Sequence, residues 1–458
     1  MMRIEIPQDA GEILRALEAD GHEAYLIGGC VRDMLLGKYP HDIDITTSAR
    51  PERVMEIFGE RAFPTGLKHG TVTVKQGGKN IEVTTYRSDL DYEDHRHPKK
   101  VTFSDTLADD ISRRDLTVNA LAADINGEIK DLCGGLSDLE NKVLRCVGEP
   151  SCRFEEDALR IMRTLRFSSV LGFDIEKATA KALHDRKALL HEISTERITE
   201  ELGKFLLGSR VTELMTEYSD IFALIVPEFA PCIGFDQMSE YHMYTVYEHI
   251  AHAVGNAPAD PLVRTALFFH DIEKPSCCLF YGGRRHFTGH ERAGAITAQR
   301  IMKRMRFDND TIAKTCTLIA EHGLKPKFSD PYTVEDRIWV RHIYSRVGEE
   351  LFFRLVSLSE ADNRAKSPLA DERIGFLRVM EQIGADIRDR GDCVSLKGLA
   401  VKGGDLKDIC GGGKVTGLIL SGLLDAVMDE RVPNEKEPLL GLAREIFDGY
   451  KKQDTPLS

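Results

Sequence analysis

No stretch of the chain approaches the roughly 18 consecutive apolar residues of a membrane-crossing helix. The longest obvious run, Ile221 to Val226, is cut by Pro227. The opening residues Met1-Met2-Arg3-Ile4-Glu5-Ile6-Pro7 lack the apolar length of a secretory leader. Paired cysteines are missing as well: the ten cysteines include no C-x-x-C pair and only Cys277-Cys278 are adjacent, which excludes a zinc ribbon or a disulfide scaffold. Reduced thiols in a cytoplasmic protein are the expectation. There is no excess of positive charge, since 61 basic residues face 74 acidic ones for a net charge of −13. That balance argues against non-specific coating of nucleic acid, but an enzyme that releases an RNA product needs only a local basic groove. Arg284-Arg285, Lys303-Arg304 with Arg306, and Lys397, Lys402 and Lys407 are candidates for one. Repeats of solenoid length are absent, and 458 residues suffice for three or four domains with ample core.

What is present is concentrated early in the chain. Residues 1 to about 147 mix short β-branched stretches with helical patterns, as in a small α/β domain. The apolar run Ala24-Tyr25-Leu26-Ile27 leads into Gly28-Gly29 and then Val31-Arg32-Asp33-Met34-Leu35-Leu36, a strand, a glycine turn and a helix start of the kind that cradles phosphate. Asp42-Ile43-Asp44-Ile45 follows, and strand alternation predicts that Asp42 and Asp44 share one face with Ile43 and Ile45 in the core. Two carboxylates that close repel unless a cation lies between them, and their hard oxygens suit Mg²⁺. Thr71–Lys75 and Asn80–Tyr86 flank Gln76-Gly77-Gly78-Lys79 and predict a hairpin. Pairing beside the Asp42–Asp44 strand would make Glu82 a third carboxylate. Arg113-Arg114-Asp115, with Asn119, joins guanidiniums suited to triphosphate oxygens to groups that can hold a ribose hydroxyl. From about 150 onward helical periodicity dominates. Ala158, Ile161, Met162, Leu165 and Ser169 form one stripe, leaving Asp157 and Arg160, three apart, on a neighbouring polar face.

Five ordered blocks, Gly28-Gly29…Arg32-Asp33…Asp42-x-Asp44, Arg113-Arg114-Asp115-x-x-x-Asn119-Ala120, Asp131…Gly134-Gly135, Glu156-Asp157-x-x-Arg160 and Thr195-Glu196-Arg197-Ile198, give the chain a strong resemblance to tRNA nucleotidyltransferases of the bacterial and eukaryotic CCA-adding class. The match is close over the first 210 residues and looser beyond, through Leu399-x-Val401-x-Gly403-x-Asp405-Leu406 and onward to Asn434. The resemblance implies an α+β fold: a polymerase β-like nucleotidyltransferase head over 1–147, then a helical neck over 148–225, an HD-like body over 226–368 and a tail over 369–458 that, with the body, grips the tRNA acceptor arm. It implies CCA addition to tRNA from CTP and ATP, with Asp42 and Asp44 holding Mg²⁺ and Glu82 as third carboxylate. Gly28, Gly29, Arg32, Arg114, Asp115, Asn119 and Arg163 would hold triphosphate and sugar, and Asp157 with Arg160 would read the base. Cytosine and adenine each offer an amine beside a ring-nitrogen acceptor, complementary to a carboxylate beside a guanidinium, whereas uracil and guanine would leave those charges unpaired. Ser88–Pro98, polar and poorly periodic, resembles the family's flexible element. A bacterial poly(A) polymerase is the nearest rival.

A second constellation lies in the body. His249, His270-Asp271 and Asp362 are similar in spacing to HD-domain phosphohydrolases, with His290 and His322 as candidate ligands of a further metal. The resemblance makes a divalent metal here a candidate and a phosphohydrolase with a nucleotide-binding head another rival. Glu273, where such proteins commonly carry glycine, places close helix packing or metal geometry in doubt.

Overall fold

The Gln76–Lys79 turn is the local key to the head. Gly77 and Gly78 both adopt positive φ, +56° and +80°, the pair of left-handed residues that a two-residue hairpin matched to strand twist demands. In the computed structural model, which describes residues 3–67, 70–92, 98–329 and 331–453, this turn joins two strands of a seven-stranded sheet. The strands are β1 (Ala24–Ile27), β2 (Asp44–Thr47), β3 (Ala62–Gly66), β4 (Thr71–Gln76), β5 (Lys79–Thr85), and, after a separate ribbon of β6 (Arg87–Tyr92) and β7 (Pro98–Phe103), the short β8 (Ala122–Ala123) and β9 (Ile129–Lys130). Their order is β3-β4-β5-β2-β1-β8-β9. Neighbours are antiparallel except β2 and β5, which run parallel with Asp44 opposite Glu82. Of the segment expected to be a loop, the flanks are instead the strands β6 and β7, and residues 93–97 lie outside the described residues.

Two compact units emerge, Met1–Ala230 with Arg304–Arg306, and Pro231–Lys303 with Phe307–Ser458. In the first, the helix Gln8–Ala19 buries Ala10, Ile13, Leu14 and Leu17, the 3.6-residue stripe of an amphipathic helix. The stripe expected at Ala158, Ile161, Met162, Leu165 and Ser169 is fully buried. At roughly 1.5–3 kcal/mol per buried aliphatic side chain, it anchors the helix Leu159–Leu171. The predicted continuity of helix through Asp157 fails. Asp157 is extended, φ −140° and ψ 100°, between the helices Pro150–Glu156 and Leu159–Leu171. Its side chain accepts from the Leu159 N–H at 3.1 Å, the local competition with backbone bonding that makes aspartate a helix interrupter.

The second unit is largely helical. The helices Val246–Asn256, Pro261–Phe269, Asn309–Glu321, Val334–Val347, Glu349–Arg364 and Asp371–Arg390 form its body, followed by a smaller core around Leu399, Val401, Leu406, Ile419, Leu423, Leu439 and Ala443. One hairpin, Leu279–Tyr281 with Arg284–His286, interrupts the helices. Gly282 and Gly283 provide the positive φ values its turn requires, +61° and +73°. No single helix among the described residues is long and apolar enough to cross a membrane.

Candidate active site

β1 ends at Ile27, and the chain turns through Gly28 at φ +81° into the helix Gly29–Leu35. A Cβ on Gly28 would sit 3.1 Å from Arg114 Nη1 and 3.5 Å from the Asn119 carbonyl, so the turn needs glycine for both conformation and room. Around it lies a cavity of about 380 Å³ lined by Gly28, Gly29, Arg32, Asp42, Asp44, Arg114, Asp115, Asn119 and Arg163, nine residues singled out in the sequence. Cys30 also lines it, but burial pushes its thiol up to about 11, so it is no nucleophile at neutral pH.

Asp44 opens β2 with Ile43 and Ile45 buried on either side. Burial, then the neighbouring charge of Glu82, and further the charge of Asp42, push its carboxyl up to about 6 against the opposing pull of Arg114. A carboxylate held that high by burial and by like charge is a position a divalent cation relieves, and the all-oxygen donor set fits Mg²⁺. Asp42 departs from its expected place. It lies in the bend before β2 rather than on the strand, 89% exposed, with His41 Nδ1 3.3 Å away. Asp42, Asp44 and Glu82 do not draw their oxygens within 4.8 Å of one another; among the described residues only groups in the body reach that closeness.

The cations of the cavity are held from behind. Asp110, fully buried, accepts from Arg113 Nε at 3.0 Å, Arg114 Nη2 at 3.1 Å and Thr46 Oγ1 at 3.2 Å. Burial opposes ionisation of Asp110, but Arg113 and Arg114 outweigh it and hold the carboxyl below its usual range. Asp115 accepts from Arg163 at 2.7 and 2.9 Å, from the Leu116 N–H at 2.8 Å and from Asn119 Nδ2 at 3.2 Å. Asn119 Oδ1 in turn accepts from Arg32 Nη1 at 2.5 Å. Asp115 therefore orients two cationic side chains, Arg163 directly and Arg32 through Asn119, with both its oxygens engaged. Arg166, Phe167 and Glu201 escaped sequence reasoning. The guanidiniums of Arg166, Arg32 and Arg163 lie 3.8, 5.1 and 5.4 Å from the Phe167 ring centre, and Arg166 Nε is 2.6 Å from Glu201. Three like charges gathered on one ring repel, which Asp115 and Glu201 offset in part and a polyanion would offset further.

Gly135 explains the Asp131…Gly134-Gly135 block. Asp131 Oδ1 accepts the Gly135 N–H at 2.9 Å and Oδ2 the Leu136 N–H at 3.0 Å, pressing Gly135 against the turn that carries Asn119. A Cβ there would lie 2.2 Å from the Thr117 carbonyl oxygen. Gly135→Ala should lower head stability by about 2–3 kcal/mol in urea unfolding, with weaker use of CTP and ATP alike.

Asp157 and Arg160 do not line this cavity and do not pair with each other. Asp157 Oδ2 faces Arg197 Nη2 at 3.4 Å. Arg160, buried, donates to Glu156 at 2.6 Å, to the Arg153 carbonyl at 3.0 Å and to the Arg113 carbonyl at 2.6 Å. The expected shared polar face does not form, and Arg160 instead makes a buried tie between the neck and the Arg113–Arg114 segment.

In the body, His249, His270, Asp271 and Asp362 are all buried with ligand atoms within 4.8 Å of one another, and Asp271, His290 and His322 form a second such group. His249 Nε2 lies 2.9 Å from Asp362 Oδ1 and 3.2 Å from Asp271 Oδ2. Burial works against a charge on His270, yet Asp271 and Asp362 raise it to about 9. Asp362 is held far below its usual range despite its burial, by Lys366 and the imidazoles. Glu273 does not disturb the cluster: its Oε1 accepts from Thr297 Oγ1 at 2.6 Å.

Residues 24–145 match the family described as the Poly A polymerase head domain, and residues 172–233 the one described as the probable RNA and SrmB-binding site of polymerase A. The CCA-adding enzyme of Lactobacillus helveticus is 48% identical over 219 residues, 48% of this chain and 55% of that relative, so that alignment spans only about half of each. The CCA-adding enzyme of Lactiplantibacillus plantarum is 34% identical over 96% of this chain and 97% of its own length. The chain belongs to the CCA-adding enzyme family. The crystal structure of the Bacillus stearothermophilus CCA-adding enzyme in complex with CTP, 28% identical, agrees over 97% of this chain and 98% of that one with a TM-score of 0.70. Family membership accounts for the head with its mixed sheet and for the largely helical remainder. The poly(A) polymerase is not favoured, since both of these relatives carry the CCA-adding name.

Proposed function

We propose that the chain adds C, C and A to the 3′ end of tRNA from CTP and ATP without a nucleic-acid template, working in the cytoplasm. The observation that carries this is Asp44, in register with Glu82 and lining one cavity with the Gly28 turn and Arg114, with its carboxyl raised by burial and then by the charge of Glu82. Asp42 and Asp44 would hold Mg²⁺, which when bound lowers the pKa of the RNA 3′-hydroxyl and neutralises the phosphates. The remaining work falls to the chain. Arg32, Arg114 and Arg163 bind the triphosphate; the Gly28-Gly29 backbone lets it approach; Asn119 and Asp115 orient Arg32 and Arg163. Glu82 completes the carboxylate face beside Asp44, and the proton of the attacking hydroxyl passes to solvent. No covalent enzyme intermediate is needed.

Base selection is assigned to Asp157 and Arg160. Arg160 would exchange one of its present acceptors, Glu156, for the base edge, while Asp157 needs only to leave Arg197. The head (1–147) and neck (148–225) then form the catalytic half, while the HD-like body (226–368) and tail (369–458) hold the acceptor arm. The body binds a divalent cation at His249, His270, Asp271 and Asp362.

Incubating tRNA that lacks its last three nucleotides with each NTP alone, then with CTP plus ATP, should yield two added nucleotides with CTP and three with the pair, resolved at single-nucleotide length. Long adenylate tails with ATP alone would refute the reading.

A further inference from the structure

The hairpin Leu279–Tyr281 with Arg284–His286 carries more than a connection between helices requires. Its first strand turns Leu279, Phe280 and Tyr281 to solvent at 57, 63 and 57% exposure, three consecutive apolar residues that forgo burial. The antiparallel register sets Leu279 opposite His286, Phe280 opposite Arg285 and Tyr281 opposite Arg284. Alternation therefore collects Leu279, Tyr281, Arg284 and His286 on one face. On that face the rings of Tyr281 and His286 are stacked, 3.8 Å between centres and 8° between planes. Tyr281 is still more than half exposed, so ring surface is left for a third flat group.

The other side of the hairpin is tied down. Arg285 lies 4.4 Å over the Phe235 ring and donates to the Asp236 carbonyl, while Phe287 meets Phe235 edge-on at 6.3 Å. Arg284 Nη2 reaches Glu240 Oε1 at 3.2 Å, but both side chains are more than half exposed, and an ion pair so placed contributes little. Its guanidinium thus stands across the strand from Tyr281 and is open to a stronger anion. Chemistry narrows the occupant. A preformed stack of flat rings beside a guanidinium matches a nucleobase and its phosphate, because every base has a π face and the cation answers the backbone charge. In a chain of net charge −13, a polyanion is accepted only where cations stand locally, as they do at Arg284-Arg285. A second copy of the chain matches less well, since a two-fold contact would set these arginines against themselves.

Resting on the tRNA substrate proposed above, we infer that this hairpin is where the body stacks on the RNA. An unpaired base of the bound tRNA lies on Tyr281 and extends the Tyr281–His286 stack, while Arg284 leaves Glu240 for the adjoining phosphate. RNA offers such bases in its loops and ends, and rings already stacked lose little freedom on binding. The hairpin acts in binding and takes no part in the chemistry.

The test uses the full chain and tRNA lacking its last three nucleotides, with affinity read by fluorescence anisotropy at several salt concentrations. Tyr281→Ala should weaken binding about 10-fold or more, the loss of one stacked base, and Tyr281→Phe should bind like the parent because the ring remains. Arg284→Gln should weaken binding and lower the salt slope by about 0.7–0.9, one phosphate contact. One tRNA base that the parent guards against chemical modification should become reactive with Tyr281→Ala. In addition assays the Tyr281→Ala loss should appear in the KM for tRNA and not in the KM for CTP. A parent that neither binds nor extends tRNA would overturn this inference together with the function it rests on. A parent that extends tRNA while Tyr281→Ala binds it as tightly would overturn the hairpin's role alone. Equal weakening by Tyr281→Phe would overturn stacking, and an oligomer that Tyr281→Ala dissociates without changing tRNA affinity would give this face to a second copy instead.

Discussion

Asp44→Ala should abolish addition of both C and A, lowering turnover on the order of 10³-fold or more, because the several kcal/mol that a metal-held transition state gains depend on this carboxylate. The loss should fall on CTP and ATP equally, since in the proposed function Asp44 acts through the metal and does not read the base. tRNA binding, read by gel shift, should be unchanged, and so should the helical signal in circular dichroism. Removing Asp44 relieves repulsion with Glu82 and Asp42, so the variant should unfold no more easily than the parent. A variant that kept a tenth of parental activity would remove Asp44 from the catalytic role.

Asp110→Ala should be the most destabilising single change in the head, by about 3 kcal/mol in urea unfolding followed at neutral pH, because it strands the guanidiniums of Arg113 and Arg114 beside a fully buried void. Nucleotide use should fall as well, since Arg114 would lose the anchor that points it at the Gly28 turn. The effect has a definite pH sign. The folded-state pKa of Asp110 is depressed, so its contribution is complete above the ordinary carboxylate range and is lost as pH falls through the lower, folded-state value. The stability gap between parent and variant should therefore narrow below about pH 4. A gap that widened in acid would contradict the ion-pair account.

Much of this was legible in the sequence because the relevant signals are local. Gly77-Gly78 announces its hairpin, Gly28-Gly29 its turn, and once β5 exists its alternation leaves Glu82 outside the core, able to meet Asp44. His270-Asp271 with His249 and Asp362 was readable through the resemblance to HD-domain phosphohydrolases, and the fold brings all four together. The misreadings share one cause, a competing interaction that periodicity does not carry. Alternation placed Asp42 on a strand that begins only at Asp44. A helical count placed Asp157 and Arg160 on one face, whereas Asp157 captures a backbone N–H and breaks the helix. Arg166, Phe167 and Glu201 went unnoticed because their significance lies wholly in contacts between the helices Leu159–Leu171 and Thr195–Leu206.

The parallel pairing of β2 with β5 has a bearing on how the enzyme comes into being on the ribosome. The two strands are not joined by a tight turn; the chain crosses to β3 at the sheet edge and comes back through β4 before β5 sets Glu82 opposite Asp44. Such a non-local closure is entropically slow compared with helix or hairpin formation. Under the proposed function, a nascent head emerging as far as β2 would carry Asp42 and Asp44 without Glu82, and so without its full set of carboxylates.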